Sequence, residues 1–172
     1  ALLPAGLRDV LPPDAGFEAE LVERLIADLA LRGFERVKPP LVEFEDGLLS
    51  GAGVAMSQHI FRLMDPVSQR MMGVRADITP QVARIAATRL KGAPRPLRLS
   101  YAGEVLRVRG TQLRPERQCI QVGAELVGSD APAADAEIVA TAVEVLAALG
   151  VDGLTVDLTV PRLVAAVCAD AG

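Results

Sequence analysis

The chain has 172 residues and 51% of them are hydrophobic, so it is long enough to fill one core and too apolar to be disordered. Aromatic residues make up 3% of the chain, and its formal net charge is -4. These values argue against a nucleic-acid surface, because such surfaces rely on stacked aromatic rings or on a broad cationic patch.

Few side chains are available as soft metal ligands. Cys119 and Cys168 lie far apart in the sequence, and we interpret them as free thiols of a reducing compartment. His59, the single histidine, has no evident partner, so we expect it on the surface or in a turn. No metal site and no cofactor are therefore predicted. The chain also lacks a long apolar run and a leader pattern, so a cytoplasmic protein without a membrane partner is expected.

The first predicted helix begins at Asp14, a favourable N-cap residue, and ends before Gly33. Every fourth residue of this segment is apolar, which predicts a buried stripe of Phe17, Leu21, Leu25 and Leu29. Residues 34–38 then alternate like a strand, and Pro39 and Pro40 end it, as expected at a sheet edge or an interface. We interpret this helix and strand together as a homodimerisation element.

A short hairpin is predicted next. Residues 47–53 have little pattern and are expected to form a loop. Two apolar segments, residues 60–64 and 70–74, then flank Asp65 and Pro66, a pair that favours a turn between two strands.

A second helix is predicted after this hairpin. Thr79 and Pro80 resemble an N-cap and a first helical position, and the helix is expected to end before Gly92. Asp77 then lies just before a helix N-terminus. There it could hold a cation or simply complement the helix dipole.

Two longer strands are predicted at residues 97–109 and 117–127, joined by a polar loop. Alternate side chains of a strand share one face, so the apolar residues of the second strand face a core. Its other face presents, in order, Gln121, Gly123 and Glu125. An amide and a carboxylate on either side of a glycine leave room for a small polar molecule.

Three elements are predicted in the remaining chain. An alanine-rich helix, capped by Ser129 or Asp130, is expected to reach Gly150. Residues 154–158 have the composition of a strand, and a short final helix is predicted to open at Thr159.

The order of these elements predicts a single α+β domain over residues 1–172, with a largely antiparallel sheet flanked by helices. The regular strand-helix alternation of a doubly wound fold is absent. Glycine motifs that cradle nucleotide phosphates are absent as well.

The polar residues on these elements suit an amino-acid ligand. A site that selects a zwitterion needs carboxylates for the amine, and a guanidinium or backbone amides for the carboxylate. The sequence offers these types at Asp77, Thr79, Arg107, Gln121 and Glu125. Two other interpretations remain open. Glu125 and Arg107 could form a cross-strand ion pair on a solvated sheet face. The hairpin arginines could instead clamp phosphates, and these are Arg107, Arg109, Arg114 and Arg117.

Three segments resemble the catalytic fold of the class II histidyl-tRNA synthetases. YAGEVLR at residues 101–107 and QVGAE at residues 121–125 resemble motif 2 and the next strand of that family. LPAGLRDVLPP at residues 3–13, the first helix and residues 33–40 resemble its N-terminus and its dimer-forming motif 1. RADITPQVARIAA at residues 75–87 is similar to the signature of a paralogue that serves as regulatory subunit of ATP phosphoribosyltransferase in histidine biosynthesis. The resemblance covers nearly all of the chain.

Departures from the synthetase pattern favour this paralogue. In the enzyme, a glutamate two positions after the motif 2 arginine recognises adenine, and here that position is Arg109, which can only donate hydrogen bonds. Where the synthetase has Glu-Gly-Thr, this chain has Asp77, Ile78 and Thr79. The motif 3 arginine, the histidine-specific loop and the anticodon-binding domain have no counterpart. That last absence weighs less than the substitutions, because the chain begins without Met and stops soon after Pro161, and we expect it to be the N-terminal part of a longer protein.

The resemblance implies a histidine-binding site without catalytic residues. Asp77 and Thr79 would lie near the amino group, Arg107 near the carboxylate, and Gln121 and Glu125 near the amino group or the ring. It further implies a non-catalytic regulatory subunit that pairs with the short-form catalytic subunit of ATP phosphoribosyltransferase, a glycosyltransferase. Such a subunit supports that activity and reports histidine by feedback, without binding tRNA. An N-terminal fragment of a histidine-tRNA ligase and a homodimeric structural module that binds nothing are the alternatives.

Overall fold

The computed structural model describes residues 2–49 and 56–159, and these contain four helices and six strands. The helices are α1 (Asp14–Leu31), α2 (Glu45–Leu48), α3 (Thr79–Ala87) and α4 (Pro132–Ala148). The strands are β1 (Glu35–Arg36), β2 (Val42–Phe44), β3 (Phe61–Met64), β4 (Met71–Val74), β5 (Leu97–Leu106) and β6 (Gln118–Val127). They form two three-stranded sheets, ordered β1-β5-β6 and β2-β4-β3. None of the helices in these two ranges combines the length and the apolar composition needed to cross a bilayer.

The larger sheet is built on the hairpin of β5 and β6. The two strands pair antiparallel, from Leu97 opposite Val127 to Leu106 opposite Gln118. β1 adds a short parallel pairing on the other side of β5. The predicted hairpin is confirmed, although β5 ends at Leu106 and Arg107 therefore follows the strand.

The larger sheet has apolar clusters on both faces. On the first face, α1 and α4 contribute to a buried cluster of Ile26, Leu29, Phe34 and Val145. On the second face, the segment at α3 packs against β5 through Ile78, Val82, Ala86, Leu97, Leu99, Tyr101 and Val105. Val122 and Ala124 of β6 pack on the first cluster, which confirms the predicted core-facing side of this strand. Gln121 and Glu125 accordingly face the α3 side.

Only the C-terminal half of α1 contributes to its buried cluster. Ile26 and Leu29 are buried, whereas Phe17, which belonged to the predicted stripe, is 62% exposed. The reason is the helical period. With 3.6 residues per turn, positions four residues apart rotate by about 40° at each step, so a residue twelve positions away lies roughly 120° around the helix.

The smaller sheet contains the predicted short hairpin. β3 and β4 pair antiparallel, with Met64 opposite Met71 next to the turn. The Asp65 side chain accepts two backbone N–H groups within this turn, which stabilises it. The loop predicted at residues 47–53 is partly wrong, because the short helix α2 ends within it; residues 50–55 lie outside the described residues.

Two helices begin without their predicted caps. Asp14 is the first residue of α1 rather than its N-cap, and no side chain caps that helix. α4 begins at Pro132, so neither Ser129 nor Asp130 is its N-cap. Proline lacks an N–H group, and at the first position it leaves one donor fewer for a cap to satisfy.

The strand predicted at residues 154–158 is not formed. Residues 151–159 have no regular secondary structure, and Leu154 and Leu158 are 36% and 72% exposed. A strand needs a neighbour for its backbone hydrogen bonds, and no described strand pairs with this segment. Thr159 is the last described residue, so the predicted final helix lies outside the described residues.

Cys119 is an exposed free thiol, as predicted, whereas Cys168 lies outside the described residues. His59 is also exposed and belongs to a turn, which confirms its expected location. Its backbone N–H donates to the Met56 carbonyl at 2.8 Å, and its own carbonyl accepts the Val108 N–H at 3.0 Å. The role of His59 in this turn is carried by its backbone.

Candidate functional site

The turn before α3 carries two of the candidate residues. Asp77 Oδ1 accepts the backbone N–H of Thr79 at 2.9 Å. Thr79 is the first residue of α3 rather than its predicted N-cap, and Asp77 supplies the side-chain oxygen at this helix start instead. The carboxylate of Asp77 therefore lies at the positive end of the helix dipole.

Gln121 joins this turn to β6. Its Nε2 donates to Asp77 Oδ1 at 2.8 Å, and its Oε1 accepts the Ile78 N–H at 2.9 Å. Ile78 is fully buried and packs in the core beneath α3, which anchors the turn from below. Both the amide and the core contact hold the Asp77 carboxylate in one position.

The space over Gly123 is filled by Tyr101. The two residues oppose each other directly across β5 and β6. Tyr101 is only 3% exposed, and a Cβ atom added to Gly123 would collide with its ring. The room for a small molecule that was predicted at this glycine is therefore taken by an aromatic ring of the neighbouring strand.

The Tyr101 hydroxyl links Thr79 to Glu125. It lies 2.9 Å from Thr79 Oγ1 and 3.2 Å from Glu125 Oε1. Burial raises the pKa of Tyr101 to about 12, so the hydroxyl remains protonated at neutral pH. Burial also raises the pKa of Glu125, and the nearby Asp77 carboxylate adds to that effect. Since an ionised Glu125 only accepts, Tyr101 donates to it, and the hydrogen bond of the Thr79 hydroxyl to Glu125 acts in the same sense, opposing the rise of the Glu125 pKa.

Arg107 lies at the other end of this group. Leu99 opposes Glu125, and Arg107 is eight residues further along the chain. At the usual strand rise this separates the two backbones by roughly 26 Å. The Arg107 side chain turns back and its Nε donates to the Ala76 carbonyl at 3.5 Å, beside Asp77. The cross-strand ion pair of Arg107 with Glu125 is therefore not formed.

A cavity of about 660 Å³ opens at the end of the β5–β6 hairpin. Arg107 and Gln121 line this cavity. Asp77, Thr79 and Glu125 are not among its lining residues. The cavity therefore adjoins the other candidate residues on the sheet face and does not contain them.

Three of the four arginines predicted as a phosphate clamp line this cavity, and these are Arg107, Arg109 and Arg114. Arg117 is occupied elsewhere. Its Nη1 donates to the Ala5 carbonyl at 3.1 Å, and its guanidinium lies 4.9 Å from the centre of the Phe61 ring. Three glutamates also line the cavity, and these are Glu18, Glu104 and Glu116. Their carboxylates offset most of the cationic charge of the cavity, to which Arg8 also contributes, and a phosphate clamp here stays a prediction.

Four of the five candidate residues belong to one hydrogen-bonded group together with Tyr101. We call this group the polar cluster; its members are Asp77, Thr79, Tyr101, Gln121 and Glu125. Tyr101 is not among the residues predicted for the site. Its signal is an aromatic residue opposite a glycine in a hairpin, a favourable cross-strand pair, and only the strand register makes it visible.

The polar cluster offers acceptors to a ligand. Its internal bonds use one oxygen of each carboxylate, Asp77 Oδ1 and Glu125 Oε1. The hydroxyl protons of Thr79 and Tyr101 are already donated within the cluster. What remains for a ligand is mainly the second oxygen of each carboxylate, so the arrangement suits a cationic ligand with several N–H groups.

Comparison with known proteins gives a consistent set of relatives. The profile of a family described as histidyl-tRNA synthetase matches residues 6–172. An ATP phosphoribosyltransferase regulatory subunit of Rhodospirillum centenum is 67% identical over 168 residues, which are 98% of this chain and 44% of that protein. The same-named protein of Paramagnetospirillum magneticum is 64% identical over 172 residues, covering 100% of this chain and 45% of that protein.

A solved structure gives the same relation. It is described as an ATP phosphoribosyltransferase regulatory subunit/histidyl-tRNA synthetase from Bacillus halodurans, with a TM-score of 0.74 and 28% identity over 88% of this chain and 38% of that one. This likeness confirms the predicted α+β fold of the synthetase type. The chain spans less than half the length of these relatives.

Proposed function

Because this chain belongs to the histidyl-tRNA synthetase family and is 67% identical to a regulatory subunit, we propose that it is part of a non-catalytic regulatory subunit of ATP phosphoribosyltransferase. In this proposal the full protein pairs with the catalytic subunit of that glycosyltransferase and supports the first step of histidine biosynthesis. It acts in the cytoplasm and binds no tRNA, metal or cofactor. Its own dimer forms through α1 and residues 34–40.

The observation that carries the proposal is the polar cluster beside Arg107. Asp77 and Thr79 would hold the amino group of histidine, and Arg107 would hold its carboxylate. Gln121 and Glu125 would hold the amino group or the ring. Charge-assisted bonds in a partly desolvated site contribute about 1.5–3 kcal/mol each, so three or four of them suffice for micromolar binding after the entropy cost.

The residue two positions after Arg107 supports a role without adenylation. A glutamate at this position would accept a hydrogen bond from the adenine amino group, and this chain has Arg109 there. Arg109 is exposed and lines the large cavity, where its guanidinium would face an adenine with the wrong hydrogen-bonding character. Histidine would then act as an effector. Its influence on the complex is limited by the difference between its affinities for two arrangements of the subunits.

Calorimetry on the full-length protein tests this proposal. We expect histidine to bind with micromolar affinity, the protein to raise the activity of the catalytic subunit on mixing, and histidine to reduce that activity. Asp77→Asn should weaken the binding of histidine while the two subunits still associate. Absence of histidine-dependent heat, together with unchanged activity on mixing, would contradict the proposal.

The alternative is a histidine-tRNA ligase, which the family membership also fits. Histidine-dependent exchange of pyrophosphate into ATP by the full-length protein distinguishes the two functions. We expect no exchange above background. A third outcome, neither exchange nor binding of histidine, would favour a structural module, and a melting midpoint that does not respond to histidine would support it.

A further inference from the structure

The first turn of α3 carries two polar side chains that point in nearly opposite directions. Thr79 and Gln81 are two residues apart, which places them about 200° apart around the helix. Thr79 faces the larger sheet, where its hydroxyl contacts Tyr101 and Glu125. Gln81 faces the proline segment that follows β1, and it donates to a carbonyl there. Side chains on both sides therefore hold this turn.

A continuous series of hydrogen bonds runs from the proline segment to the candidate site. Gln81 Nε2 donates to the Pro40 carbonyl at 2.9 Å, and the Gln81 backbone N–H donates to the Ile78 carbonyl at 3.0 Å. The Ile78 N–H donates in turn to Gln121 Oε1 at 2.9 Å, and Gln121 Nε2 donates to Asp77 Oδ1 at 2.8 Å. The Asp77 carboxylate is thus connected to the proline segment through the turn.

Stability alone does not explain an amide at position 81. Gln81 is 1% exposed, and its Oε1 atom is buried and has no donor among the described residues. A buried acceptor without a partner destabilises the fold. The Pro40 carbonyl has a second donor, because Arg75 Nη1 lies 3.4 Å from it. A methionine of similar volume would therefore keep the packing, remove the unpaired oxygen and leave the carbonyl with a donor.

We propose that Gln81 is a positioning residue of the amino-acid site, which sets the place of Asp77 and Thr79 and thereby the affinity for the amino group of the ligand. This inference rests on the proposed function, in which these two residues hold the amine. Gln81 acts through the backbone of the turn and does not touch the ligand. Its bond to Pro40 fixes the outer side of the turn, while side chains of the larger sheet fix the inner side.

The amino group is the part of the ligand that depends most on this turn. An ammonium group binds through directed hydrogen bonds, which weaken when their distances and angles depart from the ideal. Asp77 and Thr79 lie within four residues of Gln81. Arg107 follows β5, and its backbone N–H is held by the Arg117 carbonyl at 2.7 Å. A shift of the turn therefore alters the contacts with the amine more than those with the carboxylate.

The experiment compares histidine with imidazolepropionate, which has the same ring and carboxylate but no amino group. Calorimetry on the full-length protein gives the affinity for histidine, and displacement of histidine gives the affinity for the weaker ligand. Gln81→Met should lower the affinity for histidine at least roughly fivefold and that for imidazolepropionate less than about twofold. Its melting midpoint should stay within about 3 °C of that of the natural protein, because the substitution conserves volume.

Val82→Ala is the matched control. Val82 is fully buried in the core beneath the same helix, and its side chain is apolar, so the truncation loosens α3 without removing a hydrogen bond. The melting midpoint of this variant should fall. The ratio of its affinities for histidine and imidazolepropionate should stay within about twofold of the natural ratio.

The ratio of the two affinities decides the outcome. An unchanged ratio in Gln81→Met, or an equal change in Gln81→Met and Val82→Ala, overturns this inference while the proposed function stands. Loss of both ligands in Gln81→Met together with a much lower melting midpoint would show a purely structural role, which also overturns the inference. Absence of histidine binding to the natural protein overturns both the inference and the proposed function.

Discussion

The contact between Gly123 and Tyr101 decides how the polar cluster is built. The Tyr101 ring lies where a side chain at position 123 would be, so the hydroxyl reaches Glu125 and Thr79 only while that position has no Cβ atom. A one-atom change at Gly123 should therefore act on the fold and on the site together.

We predict that Gly123→Ala lowers the free energy of unfolding by about 1–3 kcal/mol, because the added methyl group overpacks the sheet and displaces the ring. Urea denaturation measures this loss. Gly16→Ala is the matched control, since Gly16 is exposed on α1 with open space around its Cα, and there alanine should stabilise by about 0.5–1 kcal/mol. Equal stability of Gly123→Ala and the natural protein would show that the ring does not lie on this residue.

Ionised Glu125 should lower the stability of the fold at neutral pH while it contributes to histidine binding. Burial raises its pKa in the folded protein above the ordinary value of 4.5, so the folded state holds a proton more tightly than the unfolded state does. The associated stability is fully present below pH 4.5 and is lost as the pH rises through the raised folded pKa. At neutral pH the ionised side chain therefore works against the fold.

We predict that Glu125→Gln raises the melting midpoint relative to the natural protein at pH 7.5, and that the two midpoints converge toward pH 4, where both side chains are neutral. The same substitution should weaken histidine binding by at least roughly tenfold, about 1.4 kcal/mol. Thermal melts at both pH values measure the difference in melting midpoint, and calorimetry at pH 7.5 measures the loss of histidine affinity. A lower midpoint at pH 7.5 would mean that the ionised carboxylate supports the fold.

The sequence was sufficient to select most of the polar cluster and not to assemble it. Asp77, Gln121 and Glu125 are conspicuous because their types suit an amino acid and their positions fall at a helix start and on one strand face. Tyr101 was missed because its role depends on which residue of β6 it opposes, and the length of the intervening loop sets that register. The same register places Leu99 opposite Glu125, and Arg107 lies eight residues further along the chain, too far away for a cross-strand pair with Glu125.

At the scale of secondary-structure elements, the segment between β4 and α3 also helps to hold the proline segment that follows β1. Arg75 is 6% exposed, and burial lowers its pKa. It donates to the carbonyls of Glu104 at 2.7 Å and of Pro39 at 2.9 Å, while Gln81 donates to the Pro40 carbonyl at 2.9 Å. β1 contains only two residues, so these side chains hold the proline segment that follows it against the larger sheet.

We predict that Arg75→Met lowers the free energy of unfolding by about 2–5 kcal/mol, because buried carbonyls lose their donors and each such loss costs about 1–3 kcal/mol. Arg70→Met is the control. The Arg70 side chain is 55% exposed, pairs with Asp46 at 3.5 Å and lies 3.8 Å from the centre of the Phe44 ring, so its loss should cost about 1 kcal/mol. Denaturant titration of both variants gives the comparison, and similar values would rule out a clamp at Arg75.

Helices and strands were predictable from the sequence wherever the pattern of apolar residues extends over many positions. The ten-residue strands, the short hairpin and the helices α1, α3 and α4 were all expected from their patterns. Helix starts were less predictable, because proline and aspartate near a helix start satisfy its N–H groups in several ways. Residues 154–158 have a strand composition, but composition does not supply the partner strand that pairing requires.

At the scale of the whole molecule, the two sheets differ in how much they bury. β5 is the central strand of the larger sheet, with apolar clusters on both faces, and Leu99, Tyr101 and Val105 are almost fully buried. The smaller sheet leaves Phe44 and Met64 37% and 62% exposed. Stability should therefore be distributed unevenly, since local opening is easiest where few apolar contacts are lost.

We predict that the amides of β5 exchange with solvent deuterium most slowly of the described strands, and that those of β3 and β4 exchange faster. Histidine should slow exchange at residues 77–79 and in β6, because Ile78 and Thr79 donate their N–H groups to polar-cluster side chains that the ligand would hold in place. Hydrogen-exchange mass spectrometry of the full-length protein, with and without histidine, measures both effects. The β2-β4-β3 sheet is the internal control, because it contains neither Arg107 nor any residue of the polar cluster. Protection confined to that sheet would move the histidine site away from the polar cluster, and a uniform slowing of all strands would indicate a general stabilisation rather than a local contact.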